Sequence, residues 1–248
     1  MQKAKIDISV VIPTHCPSSL FPGMVDQVLT GLHPRSVEIV IVDDGNAGVD
    51  SHTIELIVAG DPRVRVLRLP RRSGQRLATI AGVKASVGRW VVTMDDDGEH
   101  PVPAIPRMIE KLQSGADLVY CRVHTTPTDS RTAPAKPLRS IGYAAMRRIG
   151  TAMNNLLFFL CLRKPFGVPV GSFRAMDGTL ARRAVAYSCR YPYLSAMLLR
   201  LRPRVCVVHV RARSLPTDAP RRYAVRDRVA VFIPLAWHWG PARCFTQR

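Results

Sequence analysis

The chain has 248 residues, 47% of them hydrophobic, which is enough for one large α/β domain or two small ones and excludes a disordered chain. Its formal net charge of +18 is uneven: residues 1–120 contain 13 Lys and Arg against 14 Asp and Glu, and residues 121–248 contain 23 against 4. A basic half of this kind favours partners that carry phosphate, such as nucleic acid, anionic lipid or a phosphorylated ligand.

Cysteine spacing and hydropathy indicate a cytoplasmic protein. The six cysteines form no Cys-x-x-Cys pair, as expected for scattered thiols in a reducing compartment. The N-terminus runs straight into a strand pattern, so we expect no signal peptide. No stretch reaches the roughly 20 apolar residues that span a bilayer, so we expect any membrane contact to be peripheral, at the inner face.

Five short apolar runs predict strands, and the segments between them predict helices. The strands are expected at residues 6–12, 37–42, 64–69, 90–94 and 116–121, and the helices near 18–32, 53–59, 75–87 and 103–113. Candidate helix caps are Ser18 or Ser19, Asp50 or Ser51, and Ser73. Strands that alternate with helices predict βαβ crossovers, and therefore an α/β fold with a mainly parallel sheet.

The pattern changes after Cys121. We expect a polar loop over 124–137, a long amphipathic helix over 138–162, a loop over 167–176, a helix capped by Asp177 and a last strand over 205–210. The chain is thus divided into a first half (1–123), a basic second half of the same domain (124–228) and an apolar tail (229–248). The long helix fits core packing and an interfacial position equally well.

Two predicted strands end in carboxylates. Asp43 and Asp44 follow the second strand, and Asp95, Asp96 and Asp97 follow the fourth. Because ligands bind at the carboxyl ends of strands in open α/β sheets, these side chains are expected to share one edge. Grouped carboxylates repel one another unless a cation such as Mg²⁺ or Mn²⁺ offsets the charge. An ordinary acidic turn is the alternative for each of the two groups taken alone.

The order of several motifs resembles a known family. Val-Val-Ile-Pro-Thr, Ile-Val-Asp-Asp-Gly, Thr-Met-Asp-Asp-Asp-Gly-Glu-His-Pro, Asp-Leu-Val-Tyr and Gly-Ser-Phe-Arg-Ala-Met are similar to segments of family-2 inverting glycosyltransferases. The group most resembled is that of dolichol-phosphate mannosyltransferases and bacterial polyprenyl-phosphate glycosyltransferases. The resemblance covers about residues 6–230 and implies a GT-A fold, a Rossmann-like sheet flanked by helices, with a basic, partly helical C-terminal acceptor region.

The resemblance also implies roles for individual residues. The nucleotide sugar would be bound by Pro13, His15, Asp43, Asp44, Asp95, Asp96, Arg213 and Arg222. The metal ion, Mg²⁺ or Mn²⁺, would be bound by Asp95, Asp97 and Glu99. The acceptor would be bound by Arg122, Ser172, Phe173 and Arg174. The residues closest to the chemistry would be Asp97, Arg122, Arg174 and Arg213, with Arg213, Arg222 and Tyr223 as a clamp on the diphosphate.

The sequence departs from the family pattern in its first loop. That loop reads Pro-Thr-His-Cys-Pro where the family usually has Pro-Thr-Tyr-Asn-Glu, so His15 stands in place of a tyrosine. From this sequence we expect no counterpart of the two C-terminal transmembrane helices of many bacterial members. A separate anchor subunit is one way in which the protein would then reach the membrane.

The expected activity is metal-dependent, inverting transfer of a sugar from a UDP- or GDP-sugar to a polyprenyl phosphate. A phosphate acceptor is already largely ionised near pH 7 and needs no base, which suits a second half with four acidic residues. Transfer to the hydroxyl of a small molecule is one alternative. A non-enzymatic nucleic-acid or membrane-binding protein is another, although 6% aromatic residues leave little for base stacking, so we expect no nucleic-acid partner.

Overall fold

The computed structural model describes residues 6–17, 20–45, 49–126, 168, 170–187, 189 and 191–213. The strands are β1 (Ile8–Thr14), β2 (Val37–Asp43), β3 (Val64–Arg68), β4 (Trp90–Thr93), β5 (Leu118–Thr126), β6 (Arg174–Asp177) and β7 (Val205–Arg213). The helices are α1 (Phe21–Gly31), α2 (Val49–Gly60), α3 (Gln75–Ala85), α4 (Ile105–Gln113), α5 (Gly178–Ala186) and α6 (Leu194–Arg200), and a 3₁₀ turn (Val102–Ala104) leads into α4.

Within the described residues, these strands form one seven-stranded sheet in the order β3-β2-β1-β4-β6-β5-β7. All neighbouring strands are parallel except β6, which runs antiparallel to both β4 and β5. The prediction of an α/β fold with a mainly parallel sheet is confirmed. The proposed division near residue 123 remains a prediction; that position falls within β5, and strands from both sides of it share the sheet.

Helices cover both faces of the sheet, which explains why β1, β2 and β4 are buried along their whole length and are mostly apolar. Side chains of α1 and α4 pack with one face, and side chains of α3, α5 and α6 pack with the other. Helix α3 lies especially close, because a Cβ added at Gly82 would collide with the side chains of Val11 and Val42. Gly82 therefore allows α3 to pack closely against the sheet.

The most informative difference from the sequence prediction is β6. Residues 167–176 were expected to form a loop, but Arg174–Asp177 is a strand inserted between β4 and β5. This strand has only four residues, with a charged residue at each end. It therefore contains no apolar run or alternation long enough to be recognised in the sequence. Helix α6 was also missed, and β5 and β7 extend beyond their predicted ends at residues 121 and 210 because they pair with each other up to Thr126 and Arg213.

The predicted caps had mixed outcomes. Asp177 does cap α5, accepting hydrogen bonds from the N–H groups of Thr179 and Leu180 at 2.8 and 3.0 Å. Ser73 does not cap α3, since Gly74 precedes that helix and the Ser73 hydroxyl donates to the carbonyl of Arg71. Helix α1 begins at Phe21, later than expected, without a side-chain cap.

The amphipathic helix predicted over 138–162 and the tail over 229–248 lie outside the described residues. In the part of the chain that is described, no helix combines the length and apolar character needed to cross a membrane.

A buried polar cluster around Glu38 ties the strands together at the edge where they begin. Glu38 accepts hydrogen bonds from the Ser9 hydroxyl at 2.5 Å, from the N–H of Val87 at 2.8 Å and from Arg65 Nε at 2.9 Å. The Ser9 hydroxyl also accepts from the N–H of Gly88 at 2.7 Å. One carboxylate thus joins β1, β2, β3 and the segment after α3.

Replacing Glu38 by glutamine is expected to lower the free energy of unfolding by about 1–3 kcal/mol at pH 7. Burial alone would raise the pKa of Glu38, but the hydrogen bonds from Arg65, Ser9 and Val87 outweigh it and leave the pKa below its ordinary value of 4.5. A lowered pKa in the folded state stabilises the fold above the unfolded-state pKa, and this contribution is lost as the pH falls through the folded-state value.

Urea unfolding of both proteins at pH 7 and near pH 4 measures this effect. The difference in the free energy of unfolding between the wild type and Glu38→Gln should shrink at the acidic pH. An equal difference at both pH values would contradict the stabilising role of the Glu38 carboxylate. Glu110→Gln, at an exposed position on α4, is the matched control and should change stability by no more than about 0.5 kcal/mol.

Candidate active site

The carboxyl ends of β1, β2 and β4 meet at one edge of the sheet. Thr14, the last residue of β1, is in register with Asp43, the last residue of β2. The Thr14 hydroxyl donates to the carboxylate of Asp96, just beyond β4, at 2.6 Å. Pro13 and His15 flank Thr14 in the chain. The structure therefore brings the first loop and both acidic strand ends into one place, as the sequence predicts.

Asp43 and His15 are held from the β2 side of this edge. Asp43 is 2% exposed, and Arg68 Nε lies 3.9 Å from its carboxylate. The ring Nδ1 of His15 lies 3.1 Å from the carbonyl oxygen of Asp44. The predicted contacts of Asp43 and His15 with a nucleotide base stay predictions, and the observed contacts place both residues at this edge of the sheet.

Asp44 holds the loop that leads into α3. Its two carboxylate oxygens accept hydrogen bonds from the N–H groups of Ser73 and Gly74 at 2.6 and 2.7 Å. Gly45 has a positive φ of 78°, and a Cβ there would lie 2.5 Å from the backbone nitrogen of Arg72. The carboxylate thus supplies the acceptor at the α3 N-terminus that was expected from Ser73.

Asp95 is oriented by three neighbours from three separate segments. Its Oδ1 accepts a hydrogen bond from Gln75 Nε2 at 2.5 Å, and its Oδ2 accepts one from the Ser172 hydroxyl at 2.6 Å. Its backbone N–H donates to His100 Nδ1 at 2.9 Å. Because Nδ1 is an acceptor in this bond, a neutral His100 carries its proton on Nε2.

His100 stacks on Phe173, with ring centroids 4.8 Å apart and an interplanar angle of 13°. Phe173 is 3% exposed and belongs to the hydrophobic core. The predicted role of Phe173 in binding an acceptor stays a prediction. Its observed role is to support His100, which in turn fixes the backbone at Asp95.

The expected metal ligands fit a hard divalent cation. Asp95 and Asp97 offer carboxylate oxygens, which Mg²⁺ and Mn²⁺ prefer, and Asp97 Oδ1 accepts a hydrogen bond from the N–H of Glu99 at 3.0 Å. Among the described residues no three His, Cys, Asp or Glu side chains are grouped so that they could hold a metal ion by themselves. A cation here would take its other ligands from bound phosphate oxygens.

Arg174 is a buried cation beneath this site. It is 7% exposed, and it donates to the Ser195 hydroxyl at 2.5 Å, to the Thr93 hydroxyl at 3.3 Å and to the carbonyl of Ser172 at 3.4 Å. Within the described residues no carboxylate forms an ion pair with it. Burial raises the pKa of Tyr120, so this nearby phenol stays neutral and does not offset the charge.

Arg122 lies in β5 in register with His209 of β7. Arg213 is the last residue of β7, opposite Thr126. Arg222 and Tyr223 lie outside the described residues. The predicted roles of these residues towards acceptor and diphosphate therefore remain predictions.

Four residues that shape the site were not found from the sequence. Gln75, Thr93, His100 and Ser195 contact Asp95 or Arg174, although the sequence analysis assigned none of them a role at the site. His100 lies within the quoted Asp-Asp-Asp-Gly-Glu-His-Pro segment, so its position was a usable signal. Gln75 follows the basic loop by one residue, and only the packing of α3 on the sheet shows what it contacts.

Comparison with known proteins defines the class. Residues 9–177 match the family model described as glycosyl transferase family 2, which is more than half of the chain. The protein therefore belongs to glycosyl transferase family 2. This confirms the family expected from the motifs.

Relatives with known names share part of their length with this chain. A bactoprenol glucosyl transferase of Shigella phage SfX is 34% identical over 126 residues, which is 50% of this chain and 41% of the phage protein. An undecaprenyl-phosphate 4-deoxy-4-formamido-L-arabinose transferase of Pseudomonas paraeruginosa (strain DSM 24068 / PA7) is 32% identical over 157 residues, 60% of this chain and 44% of that protein. The matched region is thus less than half of each relative.

Solved structures share the fold. Glucosyl-3-phosphoglycerate synthase from Mycobacterium tuberculosis, in complex with Mn²⁺, UDP and phosphoglyceric acid, superimposes with a TM-score of 0.63 at 18% identity, covering 96% of this chain and 80% of that one. A second mycobacterial protein gives a TM-score of 0.64 at 21% identity, with coverage of 96% and 76%. At this level of identity the likeness establishes the GT-A fold.

Proposed function

We propose that the protein transfers a sugar from a nucleoside diphosphate sugar, UDP- or GDP-linked, to the phosphate of a polyprenyl phosphate, with inversion at the anomeric carbon. The observation that carries the proposal is the meeting of Asp43 with Asp95, Asp96 and Asp97 at one sheet edge. The named relatives support the acceptor class, since both are transferases that act on bactoprenol or undecaprenyl phosphate by name.

In the proposed reaction, the bond between the sugar C1 and the diphosphate oxygen breaks, and its electron pair leaves with the nucleoside diphosphate. An oxygen of the acceptor phosphate forms the new bond to C1 from the opposite side, which inverts the centre. Because a phosphate monoester is largely ionised near pH 7, no protein base is required. Asp177, the acidic residue of the second half that was considered as a base, instead caps α5. It is in register with Trp90 at the opposite end of β4 from Asp95.

The residues have separate tasks in this proposal. Asp95 and Asp97 would hold a divalent cation, Mg²⁺ or Mn²⁺, which neutralises charge on the leaving diphosphate. Pro13, His15 and Asp43 would contact the base, and Asp44 positions the loop beside it. Arg213 and Arg222 would contact the diphosphate.

Location follows from the acceptor. A polyprenyl chain resides in a bilayer, so the protein would act at the inner face of the membrane, through its own anionic-lipid contacts or through an anchor subunit. Its basic second half supports such contacts, since each Lys or Arg near an anionic surface contributes about 1 kcal/mol.

The test is transfer of radiolabelled sugar into the organic phase. Purified protein, Mg²⁺ or Mn²⁺ and undecaprenyl phosphate are incubated with each labelled UDP- or GDP-sugar, and we expect product with one of them. Undecaprenol is the matched acceptor without phosphate. Label transferred only to water-soluble acceptors would replace this proposal with the alternative of a small-molecule transferase.

A further inference from the structure

A group of four basic residues lies on β5 and β7, which we call the Arg/His quartet: Arg122, His124, His209 and Arg211. Arg122 is in register with His209, and His124 with Arg211. Alternate residues of a strand point to the same face, so the four side chains form a square on one face of the sheet. Histidine and arginine alternate around that square.

The two histidines of the quartet contact each other across one diagonal. His124 Nε2 lies 2.9 Å from His209 Nδ1, and the rings stack with centroids 5.2 Å apart. Such a bond needs one protonated and one unprotonated nitrogen, so the outer nitrogens, His124 Nδ1 and His209 Nε2, stay available. In either tautomeric arrangement of the pair, one outer nitrogen carries an N–H that can donate to a phosphate oxygen.

The surroundings of the quartet are cationic. Both histidines and Arg211 are exposed, and within the described part of the chain none of the three forms an ion pair with a carboxylate. Basic side chains placed this close together give the patch a positive potential, which favours an anionic ligand. The planar donors of arginine match phosphate oxygens in geometry.

The quartet lies on the same face of the sheet as Thr93 and Arg174, and its first row, Arg122 and His209, is the nearer one to Asp95. Arg174 is in register with Thr93 on β4 and with Tyr120 on β5, so these three side chains share a face. If the register is continued by two residues beyond the ends of β4 and β6, Asp95, Ser172, Arg122 and His209 fall in one row. The hydrogen bond from Ser172 to Asp95 and the pairing of Arg122 with His209 agree with that placement. At a strand spacing of about 4.8 Å, Arg122 lies about 10 Å from Asp95 along this row.

We propose that the Arg/His quartet binds the phosphate monoester of the acceptor, with His124 and His209 as phosphate ligands beside Arg122 and Arg211. The inference rests on the proposed function, because it places the acceptor phosphate on the same face as the donor site and two to three strands away from it. The histidine pair then helps to select a charged acceptor over an alcohol.

Direct binding tests this without turnover. Isothermal titration with citronellyl phosphate, a short soluble prenyl phosphate, should show binding by the wild type that weakens at least tenfold in Arg211→Gln and in the double variant His124→Gln/His209→Gln. Citronellol should not bind. Lys84→Gln, which removes one positive charge from the far end of α3, is the control and should bind like the wild type.

Transfer kinetics and vesicle binding complete the test. The variants should raise the KM for undecaprenyl phosphate at least tenfold and leave metal-dependent UDP or GDP affinity unchanged. Unchanged citronellyl phosphate binding, or an equal loss of nucleotide affinity, would overturn the inference. So would an equal loss of binding to phosphatidylglycerol vesicles, which would make the quartet a general anionic-lipid contact.

The outcomes separate this inference from the proposed function. If Arg211→Gln and His124→Gln/His209→Gln transfer sugar to undecaprenyl phosphate as well as the wild type does, the role of the quartet is overturned and the proposed function stands. Variant-sensitive phosphate binding without any transfer to undecaprenyl phosphate would keep the site and overturn the function.

Discussion

Replacing Asp97 by asparagine is expected to lower kcat/KM for sugar transfer by about 100-fold or more while the protein stays folded. A carboxylate that holds a cation against the leaving diphosphate stabilises charge that develops in the transition state, and losing such a contact typically costs this much. Folding should be unaffected, because Asp97 is only half-buried and accepts one local hydrogen bond, from the N–H of Glu99, which an amide oxygen can still accept.

Initial rates over a range of Mg²⁺ and Mn²⁺ concentrations measure this effect, together with calorimetric binding of UDP and GDP with and without metal. Nucleotide binding should lose its metal dependence in Asp97→Asn. Asp26→Asn, at an exposed position on α1, is the control and should behave as wild type. Metal-dependent nucleotide binding that survives in Asp97→Asn would remove this residue from the metal site.

Replacing Arg174 by methionine is expected to lower sugar transfer by about 10- to 100-fold without destabilising the fold. Arg174 is buried without a carboxylate partner in the described residues, and exchanging a buried charge for an apolar side chain of similar size is often neutral or stabilising. Its contacts with Thr93 and the Ser172 carbonyl are lost, however, and Ser172 orients Asp95. A shift of about 1 Å in a positioned group can reduce a rate by this factor.

Thermal unfolding and transfer rates of Arg174→Met distinguish these effects. The melting temperature should be equal to or above that of the wild type, while kcat falls and nucleotide affinity changes little. Arg183→Met, at an exposed position on α5, is the control and should leave both quantities near wild-type values. Full activity would show that Arg174 does not position the site, and a much lower melting temperature would show that its charge is needed for folding.

The sequence was sufficient for the first part of the sheet. Strands β1, β2 and β4 are buried on both faces, so each appears as a mostly apolar run, and the carboxylates at the ends of β2 and β4 could be placed at one edge from chain order alone. The cap at Asp177 was recognisable because capping depends on local side-chain chemistry.

Features that depend on pairing between distant segments could not be predicted. The burial of Arg174 beneath Asp95 follows from the position of β6 inside the sheet, while its expected role towards the acceptor stays a prediction. His124 and His209 are 85 residues apart, and only the parallel register of β5 and β7 makes them neighbours. The alternation of Arg122 with His124, and of His209 with Arg211, was visible in the sequence, yet it carries no information on the partner strand.

The late position of β6 in the chain has a consequence for biosynthesis. Strands β4 and β5 leave the ribosome well before residues 174–177, yet in the finished sheet β6 lies between them. Until β6 arrives, each has an edge of unpaired N–H and C=O groups that can pair with another nascent chain. The polypeptide therefore passes through an interval of synthesis in which aggregation is a hazard, and folding chaperones have their clearest target at those two edges.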